Sequence, residues 1–219
     1  MPAESINIEV VVSPPFMENT WIVQRAGRQD CVIFDPGFTP REVIALLERR
    51  SLHPAAILLT HGHVDHIAGN AVLREEFPEI PILIGTGDAV MLTSARSNLS
   101  QMGGMPVTSP PADRLLKEGD QVDYAGLLFD VLEIPGHSPG HVVYVLRTES
   151  PCLVFGGDVL FQGSIGRSDF PGGNHRQLVT GIQQKLFALP PETMVFPGHG
   201  ETTTIGEEMQ TNPFCGLNS

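Results

Sequence analysis

The sequence predicts an α/β protein made of sheets with helices on their outer faces. Three observations point there. Early and middle apolar segments come in pairs around turn residues, as hairpins do. Amphipathic segments with helix-start signals are interleaved with them. Glycine turns holding histidine or aspartate follow several of the strands. A strictly alternating strand-and-helix order would not pair strands in this way. The 219 residues are enough for one sizeable domain, and a chain of that length buries roughly 70% of its extended surface without disulfide staples.

Taken in order, residues 6–12 (INIEVVV), 19–24 and 31–35 read as strands, with Gly27 and Asp30 marking the turn between the last two. Asp35, Pro36 and Gly37 stop the third strand. Thr39, Pro40 and Glu42 have the spacing of a capping box ahead of a helix through EVIALLERR. A strand at 55–59 ends at Thr60, and 65–77 reads as one helix closing before Pro78. A short buried strand at 82–84 precedes a helix over 87–92. Residues 94–114, rich in Ser, Gly, Pro and Met, read as a loop covering something. Strands resume at 121–124 and 127–134 around an Ala125-Gly126 turn, then at 142–147 and 152–156. After the glycine-rich stretch 156–173 come a helix over 175–189, a strand at 194–196 and a helical turn at 207–211. Cys31 and Cys152 lie in apolar runs and read as buried core thiols.

Composition narrows the function. Lys plus Arg number 13 against 25 Asp plus Glu, a net charge of −12. That balance disfavours gripping a nucleic-acid backbone. No apolar run reaches bilayer length, so no membrane association is expected. The N-terminal segment holds acidic residues and no basic cluster, so no signal peptide is expected. Three scattered cysteines, none in a CxxC pair, point to a reducing, cytoplasmic setting. Gly85-Thr-Gly87 begins like a dinucleotide-binding turn but lacks the third glycine, and there is no P-loop.

The chemistry concentrates in Thr60-His61-Gly62-His63-Val64-Asp65-His66. Three histidines and an aspartate there follow an apolar strand directly. Imidazole and carboxylate are the ligands of zinc and similar divalent ions. His137 and His141 (PGHSPGH), Asp158 (GGD) and His199 (PGHG) each sit just past a strand, in glycine turns. Ligands from several strand ends can gather at one edge of a sheet, where open sheets place their sites. Taken alone, Asp158 reads more often as a turn residue than as a ligand.

This set of motifs resembles the metallo-β-lactamase superfamily, over most of the chain and in the right order. Within it, the segments 161–173 (FQGSIGRSDFPGG) and 200–208 (GETTTIGEE), together with Asn212-Pro-Phe214, look most like the short, single-domain glyoxalase II (hydroxyacylglutathione hydrolase) branch. The resemblance implies a four-layer αβ/βα sandwich forming one domain over 1–219, without the additional helical domain of full-length glyoxalase II. It implies one metal site of His61, His63 and His137 and a second of Asp65, His66 and His199, bridged by Asp158. Two divalent ions are expected, zinc first, with iron or manganese also suited to these ligands. A water shared between the ions would attack a thioester, with Asp65 orienting it as the catalytic carboxylate. The implied substrate is a small, glutathione-derived thioester.

His141 reads as support for the ligands. Arg167 reads equally as a clamp for a substrate carboxylate or as an ion-pair partner of Asp169. Met102 and Met105 read as surface cover, with contact to an acyl group as the other option. One competing reading is a persulfide dioxygenase holding a single iron on His61, His137 and Asp158. Another is a metal-binding module without catalysis; a β-lactamase or lactonase rests on fold analogy alone.

Overall fold

The period-two side-chain alternation of the strands decides the layering. In the computed structural model, which describes residues 5–217, β1 (Ile6–Ser13), β2 (Glu18–Arg25) and β3 (Asp30–Phe34) form an antiparallel meander. To it β4 (His53–Leu58), β5 (Ile82–Gly85) and β6 (Arg114–Leu116) add in parallel, giving the order β1-β2-β3-β4-β5-β6. Val32 and Phe34 of β3, and Ala56 and Leu58 of β4, face a core shared with the second sheet. Their neighbours Cys31, Ile33 and Ile57 face the other way, against α1 (Pro40–Arg50), α3 (Asn70–Glu76) and α4 (Ala89–Thr93). The short α2 (Val64–Ile67) precedes α3. Positions 1–4 and 218–219 of the expected 1–219 domain lie outside the described residues.

The second sheet repeats this logic. β7 (Gln121–Tyr124), β8 (Leu127–Glu133), β9 (Val142–Leu146) and β10 (Leu153–Gly157) run antiparallel. A small ribbon of β11 (Leu160–Phe161) and β12 (Ser164–Ile165) follows, and β13 (Met194–Pro197) and β14 (Thr203–Thr204) complete the order β14-β13-β10-β9-β8-β7. Val142, Tyr144 and Leu146 face the first sheet, while Val143 and Val145 face α5 (His175–Gly181) and α6 (Ile205–Thr211). Three apolar layers therefore alternate with four structural ones, and the fold is the expected αβ/βα sandwich. All three cysteines are buried and unpaired. Among the described residues no helix is long and apolar enough to cross a membrane.

The structure corrects several sequence expectations. The capping box does not form, because the Thr39 hydroxyl sits 2.8 Å from Ser13 Oγ and caps nothing. The helix expected over 65–77 is two, α2 and α3. The chain passes so close to the 36–37 turn that the Gly69 N–H donates to Pro36 O at 2.8 Å, and a Cβ there would lie 2.8 Å from Gly37 O. The helix expected over 175–189 is α5 followed by one π-turn, Ile182–Leu186. The short strands β6 and β14 lack any periodicity of their own and are visible only through their neighbours.

Phe34 centres the inter-sheet core. Its ring stacks on Phe155 at 4.2 Å and meets Phe129 and Tyr144 edge-on at 5.5 and 5.4 Å. Phe34→Ala should cost about 3–5 kcal/mol of unfolding free energy, from lost transfer energy plus an uncollapsed cavity. Urea unfolding of the two proteins measures it; a loss under 1 kcal/mol would mean that the two sheets close over the gap.

Candidate metal centre

The site is assembled from strand ends. β3 ends at Phe34, and Asp35 follows it in the left-handed region with a φ of 46°. The Asp35 carboxylate accepts the Thr60 N–H at 2.7 Å and the Thr60 hydroxyl at 2.6 Å, and lies 3.1 Å from His66 Nδ1. Since the Thr60 hydroxyl donates to Asp35, it accepts from His61 Nδ1, 3.1 Å away. On the second sheet, His137 Nδ1 donates to the Arg167 carbonyl at 2.7 Å, and His199 Nδ1 donates to the Phe16 carbonyl at 3.1 Å. Each of these rings has its outer nitrogen occupied by an acceptor, so its inner nitrogen faces the centre and offers a lone pair there whenever the ring is neutral.

Those inner atoms converge. His137 Nε2 lies 2.9 Å from His63 Nδ1 and 3.3 Å from His61 Nε2. Beside this group, His199 Nε2 is 3.4 Å from Asp65 Oδ2, and His66 Nε2 is 3.9 Å from the same oxygen. Asp158 reaches both groups: Oδ2 is 3.6 Å from His137 Nε2 and 3.5 Å from His199 Nε2, and Oδ1 is 3.4 Å from His66 Nε2. The structure thus brings together all seven residues that the sequence singled out as ligands. His141 stands behind them, its ring stacked near His61 and its Nε2 accepting the Asp158 N–H at 3.1 Å.

Burial sets the protonation states. It lowers the affinity of His61 for a proton well below the usual imidazole range, helped by the neighbouring His66, and brings His63 down to about 3, with His137 adding to the effect. Burial would raise Asp65, but His66 and a hydrogen bond from His199 outweigh it and hold the carboxyl ionised. Burial would likewise lower His66, but Asp158, Asp65 and Asp35 outweigh it and hold a proton there.

His63 Nδ1 and His137 Nε2, on two imidazoles only 2.9 Å apart, need a proton or a cation between them. His66 Nε2 and Asp158 Oδ1 are fully buried without a hydrogen-bond partner, an expensive state for polar atoms. Both conditions are what a divalent cation relieves. His61, His63 and His137 form one group able to hold an ion, and Asp65, His66 and His199 form another. The pair constitutes a dinuclear metal site, with nitrogen and oxygen donors that suit zinc, iron or manganese.

Two supporting residues escaped sequence reading. Asp35 looked like a strand-ending turn residue. Asp88, buried, accepts from the Gly62 N–H at 3.1 Å, the Ser138 hydroxyl at 2.6 Å and the Gly140 N–H at 2.6 Å. It ties the 61–66 loop to the 136–141 loop, and a lone aspartate in a glycine turn carries no sequence signal for that. Asp88→Ala would orphan three buried donors. The expected results are roughly 10–100-fold weaker metal binding and a stability loss of about 1–3 kcal/mol, read by metal titration and denaturant unfolding. Unchanged affinity would show that the loops hold each other without it.

The centre opens into a cleft of about 780 Å³. Its lining includes His63, Asp65, His137, Asp158 and His199, and most of the remainder is apolar. Arg167 lines it too, but its guanidinium makes two 2.7 Å hydrogen bonds to Asp169 and lies 4.0 Å over the Phe170 ring. The ion pair weighed from the sequence is therefore present, and the contact of Arg167 with the ligands runs through its carbonyl.

Comparison with known proteins agrees with this geometry. The family described as "Metallo-beta-lactamase superfamily" matches residues 13–199. Hydroxyacylglutathione hydrolase GloC of Haemophilus influenzae is 34% identical over 216 residues, covering 98% of this chain and 100% of that protein. Among solved structures, BLEG-1 B3 metallo-beta-lactamase superposes with a TM-score of 0.90 at 40% identity, covering 95% of this chain and 99% of the other. TTHA1623 in a di-iron-bound form superposes at 0.82 and 39% identity, covering 94% and 99%. With two sheets meeting at an edge lined by paired ligand groups, and with these relatives, the chain is a metal-dependent hydrolase and belongs to the metallo-β-lactamase superfamily.

Proposed function

We propose that residues 1–219 act as one domain that hydrolyses thioesters, with glutathione-derived thioesters as the substrate class. In this reading His61, His63 and His137 hold one ion, Asp65, His66 and His199 hold a second, and Asp158 bridges them, with zinc as the first expectation. The observation that supports it most is the set of inward-facing imidazole nitrogens and unpartnered buried atoms at the mouth of an open cleft. Bound divalent ions supply a Lewis acid and a water acidic enough to ionise near neutral pH.

The chain's own residues do the rest. Asp65, held ionised by His66 and His199, accepts a hydrogen bond from the attacking water and orients it toward the carbonyl carbon. Asp35 and Asp88 hold the two ligand loops in place from behind. The leaving thiolate has an unperturbed pKa near 8.5 and needs little help from an acid. Arg167, the one cation among the described residues lining the cleft, takes a substrate carboxylate in exchange for Asp169. The unpaired thiols fit a reducing, cytoplasmic setting.

GloC is named for hydroxyacylglutathione hydrolysis and BLEG-1 for β-lactamase class B3, so the test must separate acyl transfers. Metal analysis of the purified protein is paired with a panel of S-D-lactoylglutathione, a β-lactam, and glutathione persulfide with oxygen monitoring. About two ions per chain with release of glutathione from the thioester is the expected result. One iron with oxygen uptake on the persulfide would replace the reading with dioxygenation, and turnover of the β-lactam alone would replace it with amide hydrolysis.

A further inference from the structure

The wall of the cleft formed by residues 97–109 is not used by the chemistry above. The whole stretch 97–112 contains no Lys, Arg, Asp or Glu, in a chain of net charge −12. Its tips are the two most exposed large apolar side chains among the described residues, Met102 at 78% and Met105 at 69%. Both line the same cleft as His63 and Asp65, alongside Leu99, Phe16 and Phe38.

The loop is built, not loose, at its root. Asn98 is fully buried, and its side-chain amide donates to the Met91 carbonyl at 3.0 Å and the Val107 carbonyl at 2.9 Å. The Ser100 N–H donates to Asn98 Oδ1 at 3.0 Å, and the Val107 N–H to Ser100 Oγ at 2.9 Å. The Val64 N–H donates to the Asn98 carbonyl at 3.1 Å, so the loop is tied to the residue between His63 and Asp65. A pinned loop that presents two methionines beside a reaction centre would be wasted on a short hydroxylated acyl group. Methionine is unbranched and polarizable, and it moulds to flexible chains of varied shape.

We infer that this wall selects the acyl part of the substrate. Leu99, Met102 and Met105, with Phe16 and Phe38, receive an extended apolar acyl chain, and Met102 and Met105 are specificity-determining residues. The inference rests on the thioesterase reading and narrows it: acylglutathiones with apolar chains are preferred over lactoylglutathione. Burying one methylene fully is worth about 0.8 kcal/mol, roughly fourfold in affinity, and partial burial against an open wall about twofold.

Two measurements test it on the metal-loaded protein. The first compares kcat/KM for S-lactoyl-, S-butanoyl- and S-hexanoylglutathione. The second measures calorimetric binding of S-methyl- and S-hexylglutathione, thioethers that cannot be hydrolysed. The hexanoyl-to-lactoyl ratio is expected to exceed about 10, mainly through KM, and the hexyl thioether to bind roughly 30-fold tighter than the methyl one. M102S/M105S should pull both ratios down to a few-fold, while M102L/M105L should keep them. A flat or falling chain-length series, or a serine variant that leaves the ratios unchanged, overturns the inference without touching the thioesterase reading. If no acylglutathione is cleaved, that reading fails. The thioether series then still decides about the wall: retained chain-length dependence supports it, and its absence overturns it.

Discussion

Asp158→Asn is expected to leave the protein folded, to reduce bound metal from two ions per chain to one or fewer, and to lower kcat/KM by about 10²–10³-fold or more. Its carboxylate approaches both ligand groups, lying 3.6 Å from His137 Nε2 on one side and 3.4 and 3.5 Å from His66 and His199 Nε2 on the other. An amide keeps the volume and one acceptor oxygen. It loses the charge, and its NH2 turns a donor toward one of the two ligand groups. The apolar cluster between the two sheets does not include this residue, so circular dichroism should be unchanged. Elemental analysis and thioester turnover measure the effect together. Retention of two ions with full activity would show that the two groups are held without a bridge.

Stripping the metal with a chelator is expected to lower Tm by about 8–16 °C, and restoring zinc should reverse the change. A single site kept at a thousand times its Kd contributes about 4.1 kcal/mol, and about 2–4 °C per kcal/mol applies to a chain of this size. The physical cause is visible in the centre. His61, His63, His66 and His137 are buried, their inner nitrogens face one another, and His66 Nε2 and Asp158 Oδ1 have no partner. Without a cation the folded state bears that repulsion and desolvation, while the unfolded chain solvates every group. The shift should grow with free metal concentration, and it should be smaller in Asp158→Asn. Differential scanning calorimetry across a metal titration gives both; equal Tm with and without metal would mean that the cluster is satisfied by protons alone.

Much of this centre was legible in the sequence because the relevant signals are local. His61, His63, Asp65 and His66 lie in one strand-to-helix loop, and their chemistry needs no fold to be recognised. His137 and His199 are legible because each follows a strand in a glycine turn, whereas Asp158 is assigned only through the resemblance of the whole motif set. Asp35 and Asp88 were not. Their partners lie far along the chain, Thr60 at a separation of 25 residues and Ser138 at 50, and an isolated aspartate in a turn looks the same whether or not it braces a metal loop. The break between α2 and α3 was hidden for the same kind of reason, since the close approach of Gly69 to residues 36–37 is a contact between distant segments.

The layering and the ligand chemistry belong to the sequence by itself: alternation along each strand assigns its two faces, and imidazole and carboxylate bind metal wherever they stand. The tertiary structure alone decided which nitrogen of each ring turns inward, that Arg167 is engaged by Asp169, and that a charge-free methionine loop is fastened beside the centre. These depend on hydrogen bonds and packing between segments that meet only when the two sheets close on each other, and no local pattern encodes where such segments come to rest.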